Sequence, residues 1–221
     1  MYLSRLILNP RSRRVQRELA EPYEMHRSIM HAFRDDLQDG EERILWRVDE
    51  HPRLGLTLLV QSWDVPDWSW LVEDGARGYL LPIDEPNPAG KPFDLNPTVG
   101  QVLSFRLRAN PTKRLGKSAE YDKGKRVGIY DEEDQLAWLV RKGEQHGFRV
   151  LQVQVSRGGK MEHEKAIERD GKVHKLELLS VQFDGLLQVT DPDKLIQAIQ
   201  TGIGSAKGFG FGLLSLAPAR G

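Results

Sequence analysis

The chain has 221 residues, 39% of them hydrophobic and 29% charged, enough for one large domain or two of about 100 residues each. It has no cysteine, which excludes disulfides, thiolate zinc sites and cysteine nucleophiles, and no apolar run approaches the roughly 18 residues of a membrane span. The formal net charge of zero excludes a uniformly basic nucleic-acid binder, but the charges are segregated. Residues 64–94 hold seven acids and two bases, and residues 106–126 hold eight bases and two acids. Residues 1–34 hold seven arginines and three glutamates. Such segregation predicts one face for a polyanion and another turned elsewhere.

In chain order, "YLSRLILNP" predicts a strand closed by Asn9-Pro10, and its apolar stretch is too short for a signal peptide. With the lack of cysteine, this fits a cytoplasmic protein. "RSRRVQRELA" is a short basic helix or loop. Pro22 stands where helices begin, and Met25, Ile29, Phe33 and Leu37 then recur every four residues as a helical stripe ended by Gly40. "RILWRV" and "LTLLVQSW" are two strands. The proline-rich stretch 64–97 predicts long loops with at most one short helix. "QVLSFRLRANP" alternates clearly, with Leu103, Phe105 and Leu107 on one parity and Val102, Ser104, Arg106 and Arg108 on the other.

The pattern then starts again. "KRVGIY" is a short strand. "DEEDQLAWLVRKGEQHG" is a helix with acids first and bases last, matching its dipole. "FRVLQVQV" and "KLELLSVQFDGLLQVTD" are strands. "DPDKLIQAIQTG" is a helix opened by Asp191-Pro192 and ended by Gly202, and "LLSLAP" closes the series. Each half runs strand, helix, two strands, a helical or loop segment, strand. The expected fold is α+β: two tandem ferredoxin-like (βαββαβ) domains at 1–112 and 125–221, joined by a linker at 113–124.

Four stretches carry candidate chemistry. In "EPYEMHRSIMHAF", Tyr23 and His26 lie three apart, within reach on a helix surface. By angle alone His26 belongs to the apolar stripe and is a core histidine. Its place in the first turn after Pro22 instead lets it project beyond the core, at a helix end that favours anions, beside Arg27. A histidine near a tyrosine and cations suits RNA backbone cleavage by the adjacent 2′-hydroxyl. That reaction needs a proton taken from one oxygen and one given to another, and positive charge around the phosphorus. It requires no metal, and His26 and His31 lack the i, i+4 spacing of a helical zinc pair.

In "SFRLRANPTKRLGK", Arg106 and Arg108 share a strand face, and Lys113 and Arg114 follow. Guanidinium forks match phosphate oxygens, and a solvent-facing strand edge explains the same pattern. In "SRGGKMEHEKAIERDGKVHKLELL", Asp170-Gly171 signals a hairpin turn within a basic series of Arg157, Lys160, Lys165, Arg169, Lys172 and Lys175. This is a ribbon for a nucleic-acid groove or a plain exposed hairpin. Finally, "QTGIGSAKGFGFGLLSL" lets Gly204, Ser205, Lys207 and Gly208 offer backbone N–H groups to a phosphate, or lets glycines thin a packed strand. The segment to Gly208 is expected to pack or guide nucleic acid, and Phe209 and Phe211 to start the last strand.

"LSRLILNP", "EPYEMHR", "FRLRANPTKR" and "GIGSAKGFGFGLLSLAP", in this order, resemble the CasE family of CRISPR repeat-processing endoribonucleases. The resemblance implies binding of a repeat-RNA stem-loop and metal-independent cleavage at the 3′ base of its stem, without a cofactor. The implied products carry a 2′,3′-cyclic phosphate and a 5′-hydroxyl, and the protein is retained among the other subunits of Cascade. His26 takes the place of the family's catalytic histidine and Tyr23 that of its tyrosine partner. Residues 202–212 take the place of its glycine-rich loop. His31 stands where some relatives carry a lysine, which leaves Arg27 as the expected cation near the scissile phosphate. The rival reading is a non-catalytic RNA-hairpin-binding subunit of the same fold.

Overall fold

A computed structural model describes residues 1–33, 43–72, 76–114, 126–163 and 176–219. The chain divides into two units. The first holds Met1–Leu95 with Gln200–Gly202 and Lys207–Leu213, and the second holds Asn96–Ile199, Ile203–Ala206 and the end of the chain.

In the first unit β1 (Tyr2–Ile7) leads through helices α1 (Arg13–Ala20) and α2 (Pro22–Met30) to β2 (Leu45–His51) and β3 (Gly55–Ser62). A 3₁₀ turn at Ser69–Val72 precedes β4 (Ala89–Pro92). The antiparallel sheet has the order β2-β3-β1-β4. Its core is built by strand alternation against the helix stripe: Leu6, Leu58 and Val60 meet Met25 and Ile29, with Trp46 and Tyr79 filling the remainder. The predicted stripe is seen at Met25, Ile29 and Phe33; Leu37 and Gly40 lie outside the described residues.

The second unit begins with β5 (Val102–Ala109). A small ribbon of β6 (Thr112–Arg114) and β7 (Arg126–Gly128) follows, then α3 (Glu132–Gln145), β8 (Phe148–His163), β9 (Leu176–Val189), α4 (Pro192–Thr201) and β10 (Leu214–Pro218). Its main sheet has the order β10-β5-β9-β8. Counting strands within each unit, both sheets follow the 4-1-3-2 order of a ferredoxin-like βαββαβ unit, so the chain is a tandem ferredoxin-like α+β protein. The parity of β5 is as predicted: Leu103, Phe105 and Leu107 are buried, and Ser104, Arg106 and Arg108 lie on the other face. On the core side Trp138 stacks on Phe183 at 6.2 Å.

The strand count differs from the sequence expectation by one. "QVLSFRLRANP" does not close the first sheet; as β5 it opens the second, between β9 and β10. The first sheet is closed by β4, four mostly exposed residues of sequence AGKP. A strand so short, with glycine and proline at an edge, has no alternation to read. Pairing with β1, where Tyr2 lies opposite Pro92 and Leu3 opposite Lys91, is what defines it. "KRVGIY" supplies only the three residues of β7, paired to β6 outside the main sheet. Phe209 and Phe211 do not start the last strand either. Lys207–Phe209 is a 3₁₀ turn, and β10 begins at Leu214, because Gly210 and Gly212 adopt φ values of 80° and 90° that no strand uses.

Candidate active site

The local sequence explains why α2 starts where it does. Pro22 occupies its first turn, where a missing N–H costs nothing. Met25 and Ile29, each 1% exposed, face the core. Ser28 faces α1, where its hydroxyl donates to the Glu18 carboxylate at 2.6 Å. Glu18 is 2% exposed and also accepts from the Tyr79 hydroxyl at 2.6 Å and from Arg14 Nε at 2.8 Å. Arg14 lies over the Trp70 ring, 4.9 Å from its centroid. Burial, and then the neighbouring Glu18 charge, raises the Tyr79 phenol far above its ordinary range. A buried carboxylate with three donors is a satisfied group, and it locks α2 to α1 two residues after His26.

The remaining face of α2 presents Tyr23 and His26, both half-buried. Their ring centroids are 6.4 Å apart. The 3₁₀ turn of the glycine-rich stretch covers both: the Phe209 ring lies 6.0 Å from that of Tyr23. A Cβ on Gly208 would stand 3.5 Å from His26 Cδ2 and 3.7 Å from Nε2. A side chain at 208 would thus lie in van der Waals contact with the Cδ2–Nε2 edge of the imidazole. The other nitrogen, Nδ1, is buried and finds no hydrogen-bond partner among the described residues. Burial lowers the His26 pKa below the ordinary imidazole value of 6.5, because the cation loses water and gains no acceptor. Burial therefore favours the neutral imidazole at pH 7, with Nδ1 sealed from solvent.

Arg27 is exposed and pairs with Glu24 at 3.1 Å, a surface pair of small worth that a phosphate can displace. Lys207 opens the 3₁₀ turn, and its carbonyl accepts from the Gly210 N–H at 3.2 Å. Gly204 and Ser205 precede the turn in the chain. They belong to the second unit, where Gly204 packs on Trp138, with 3.3 Å from its would-be Cβ to Cζ2, and the Ser205 hydroxyl faces the Asn110 carbonyl at 3.5 Å. The expected phosphate cradle of Gly204, Ser205, Lys207 and Gly208 is thus divided between the two units.

The other predicted cations also belong to the second unit. Arg106 pairs with Asp184 at 2.6 Å, Arg108 donates to the Ser180 hydroxyl at 2.9 Å, and Lys113 pairs with Asp134 at 3.1 Å. Their partners lie 78, 72 and 21 residues away, so no local count along the chain shows these pairings. Arg114 is exposed at the end of β6. Arg157 and Lys160 are placed by register alone, opposite Val181 and Leu179 on β9. Lys165, Arg169, Lys172, Lys175 and the turn at Asp170-Gly171 lie outside the described residues. Sequence reasoning missed Phe209 as the ring partner of Tyr23 and missed the Glu18 network. Only the i, i+4 spacing of Arg14 and Glu18 hinted at the latter. No group of acids and histidines able to hold a metal occurs among the described residues, nor does a helix long and apolar enough to cross a membrane.

Two ferredoxin-like units, one carrying a half-buried histidine under a glycine-rich turn, define the class. Residues 1–218 match the model of the family described as CRISPR associated protein. The chain is similar to the CRISPR-associated endoribonuclease Cse3 of Thermus thermophilus, at 41% identity over 99% of this chain and all of that protein. It is similar at 33% identity, over 99% and 100% of the two chains, to the CRISPR system Cascade subunit CasE of Escherichia coli. A solved structure of Cse3 bound to a 19-nucleotide RNA superposes with a TM-score of 0.81 at 40% identity, covering 99% of this chain and all of the other. The chain belongs to this CRISPR-associated protein family.

Proposed function

We propose that this protein is a CRISPR RNA endoribonuclease. It binds the repeat stem-loop, cuts the 3′ base of the stem, and stays with the product as a Cascade subunit in the cytoplasm. The observation that carries the reading is His26: an imidazole whose burial favours the neutral form, with Gly208 against its Cδ2–Nε2 edge and Tyr23 beside it. Full-length similarity to a named endoribonuclease and to a Cascade subunit supports the substrate class and the partners.

In this reading the 2′-hydroxyl upstream of the scissile phosphate attacks phosphorus and the 5′-oxygen of the next nucleotide leaves. The bond broken is P–O5′, and the products are a 2′,3′-cyclic phosphate and a 5′-hydroxyl. His26 transfers one of the two protons, with Tyr23 assisting. Its lowered pKa favours the base form before RNA arrives, and the phosphate charge then favours the imidazolium that proton uptake creates. Arg27 exchanges Glu24 for a phosphate oxygen, and Lys207 adds positive charge from the turn. Lys113 and Arg114 offer charge to the backbone of the stem.

The test lies in the substrate. A single 2′-deoxy substitution just upstream of the scissile phosphate should abolish cleavage. Hairpin binding should be retained, since the other phosphates and the stem shape supply most of the affinity. Chelator should leave cleavage of the all-RNA hairpin intact. Cutting of the deoxy substrate, or loss of activity in chelator, would show that water is the nucleophile and remove the histidine mechanism.

A further inference from the structure

The glycine-rich stretch meets the edge strand β2 on both of its faces. Successive side chains of a strand point to opposite sides, so Trp46 and Val48, part of the core and its packed margin, alternate with Leu45 and Arg47. On the first side lies Gly210: a Cβ there would stand 2.8 Å from Trp46 Cζ3, and its φ of 80° suits glycine alone. On the second side Gly202 approaches Leu45, with 2.8 Å from its would-be Cβ to Cδ2. Leu213 follows on that side, where its carbonyl accepts from Arg47 Nη1 at 3.0 Å. The segment 207–213 thus wraps the open edge of the sheet, with the turn that covers His26 on one side and the Leu213 carbonyl on the other.

Arg47 is only 2% exposed. Its Nε and Nη2 grip Asp49, at 2.8 Å to Oδ1 and 2.9 Å to Oδ2. That fork fixes the guanidinium plane and leaves Nη1 aimed at the loop. Burying a cation in a strand is costly unless its donors are used; here one of them holds a single carbonyl at the far end of the turn over the site. Packing alone would be met more cheaply by an apolar side chain.

We infer that Arg47 is a positioning residue: by holding the Leu213 carbonyl against β2 it fixes the turn Lys207–Gly210 over Tyr23 and His26, and so sets the space that receives the scissile phosphate. This rests on the proposal that His26 transfers a proton.

Two substitutions in the full chain disturb the device from opposite sides. Arg47→Lys keeps the charge beside Asp49 but replaces a planar fork by a point donor. Gly210→Ala leaves Arg47 intact and pushes the loop off Trp46. Thermal melting verifies that each variant is folded. Three quantities are then read: the single-turnover cleavage rate, the affinity for an uncleavable 2′-deoxy hairpin, and the NMR titration of the His26 ring in the free protein. Misplacement on the order of 1 Å is expected to slow cleavage about 10²-fold with hairpin affinity unchanged. The His26 midpoint should move up toward 6.5 as the uncovered ring regains water. Tyr23 and Arg27 on its own helix, Arg14 and Glu18 on α1 and Lys207 on the turn are present in both variants. The double variant should lose no more than either single one, because both break one chain of contacts. Wild-type cleavage and an unmoved His26 signal in either folded variant, or losses that multiply in the double variant, would overturn the inference. A fully active His26→Ala protein would instead remove the proton-transfer assignment, and the movement of the His26 signal would still decide whether Arg47 holds the turn.

Discussion

The two ferredoxin-like units share one topology and differ in what surrounds the candidate functional side chains that each carries. In the second unit Arg106, Arg108 and Lys113 each meet an acceptor from a distant part of the chain. In the first, Glu18 is fully engaged, yet a few residues away on α2 His26 keeps a buried Nδ1 without a partner among the described residues. An unmet buried polar atom costs roughly 1–3 kcal/mol; among the described residues Trp46 Nε1, Trp70 Nε1 and Gln135 Oε1 share that condition, and His26 differs from them in being able to take up a proton near neutral pH. Cation-rich sequence marks where charge is needed, either for the fold or for RNA. The half-buried imidazole of His26, beside Tyr23 and Gly208, is where the proposed function places the chemistry.

The largest expected effect breaks this contrast if it fails. His26→Ala should slow single-turnover cleavage by about 10²–10⁴-fold, the usual worth of a proton-transfer group, with hairpin binding retained. Wild-type cleavage by the folded variant would leave the second unit as the better place to look.

A pH profile sharpens the same point with a smaller effect. Burial holds the His26 pKa below 6.5, so kcat/KM, which reports the free enzyme, should persist to pH values below 6.5. It should fall only as the pH passes down through the lowered pKa and the base is protonated. An acid limb centred at or above 6.5 would mean that the reactive imidazole is not the buried one. The stability linkage has the same sign: the unfolded chain takes the proton first, so the contribution of His26 is complete above 6.5 and is lost as the pH falls through the folded-state value.

The smallest effect is expected from Arg106→Gln combined with Arg108→Gln. Because both guanidiniums already have partners in β9, hairpin affinity should drop less than about tenfold and the salt slope should change by less than about one. A slope reduced by about two would put both side chains on phosphates and erase the distinction between the units.

Much of the fold was legible because it rests on local periodicity. The stripe of Met25 and Ile29, the alternation through Leu103, Phe105 and Leu107, and the glycine after α4 each announce an element over a few residues. The pair Tyr23 and His26 was legible for the same reason, since three-residue spacing on a helix is a local fact. What failed was non-local. Alternation in β5 identifies a strand but carries no information about which sheet takes it, so the division between units was placed one strand too late. β4 has no periodic signal at all.

By itself, then, the sequence determined the α+β class, two βαββαβ units and a histidine poised at the start of a helix, because helix and strand periods and turn residues act over short separations. Only the tertiary structure decided that Gly208 stands over His26, that Arg47 holds Leu213 across 166 residues, and that Arg106 belongs to Asp184. Those contacts depend on which distant segments the folding of hydrophobic faces brings side by side. Charge and hydrogen bonding then act at the few ångströms so created, a distance that spacing along the chain does not encode.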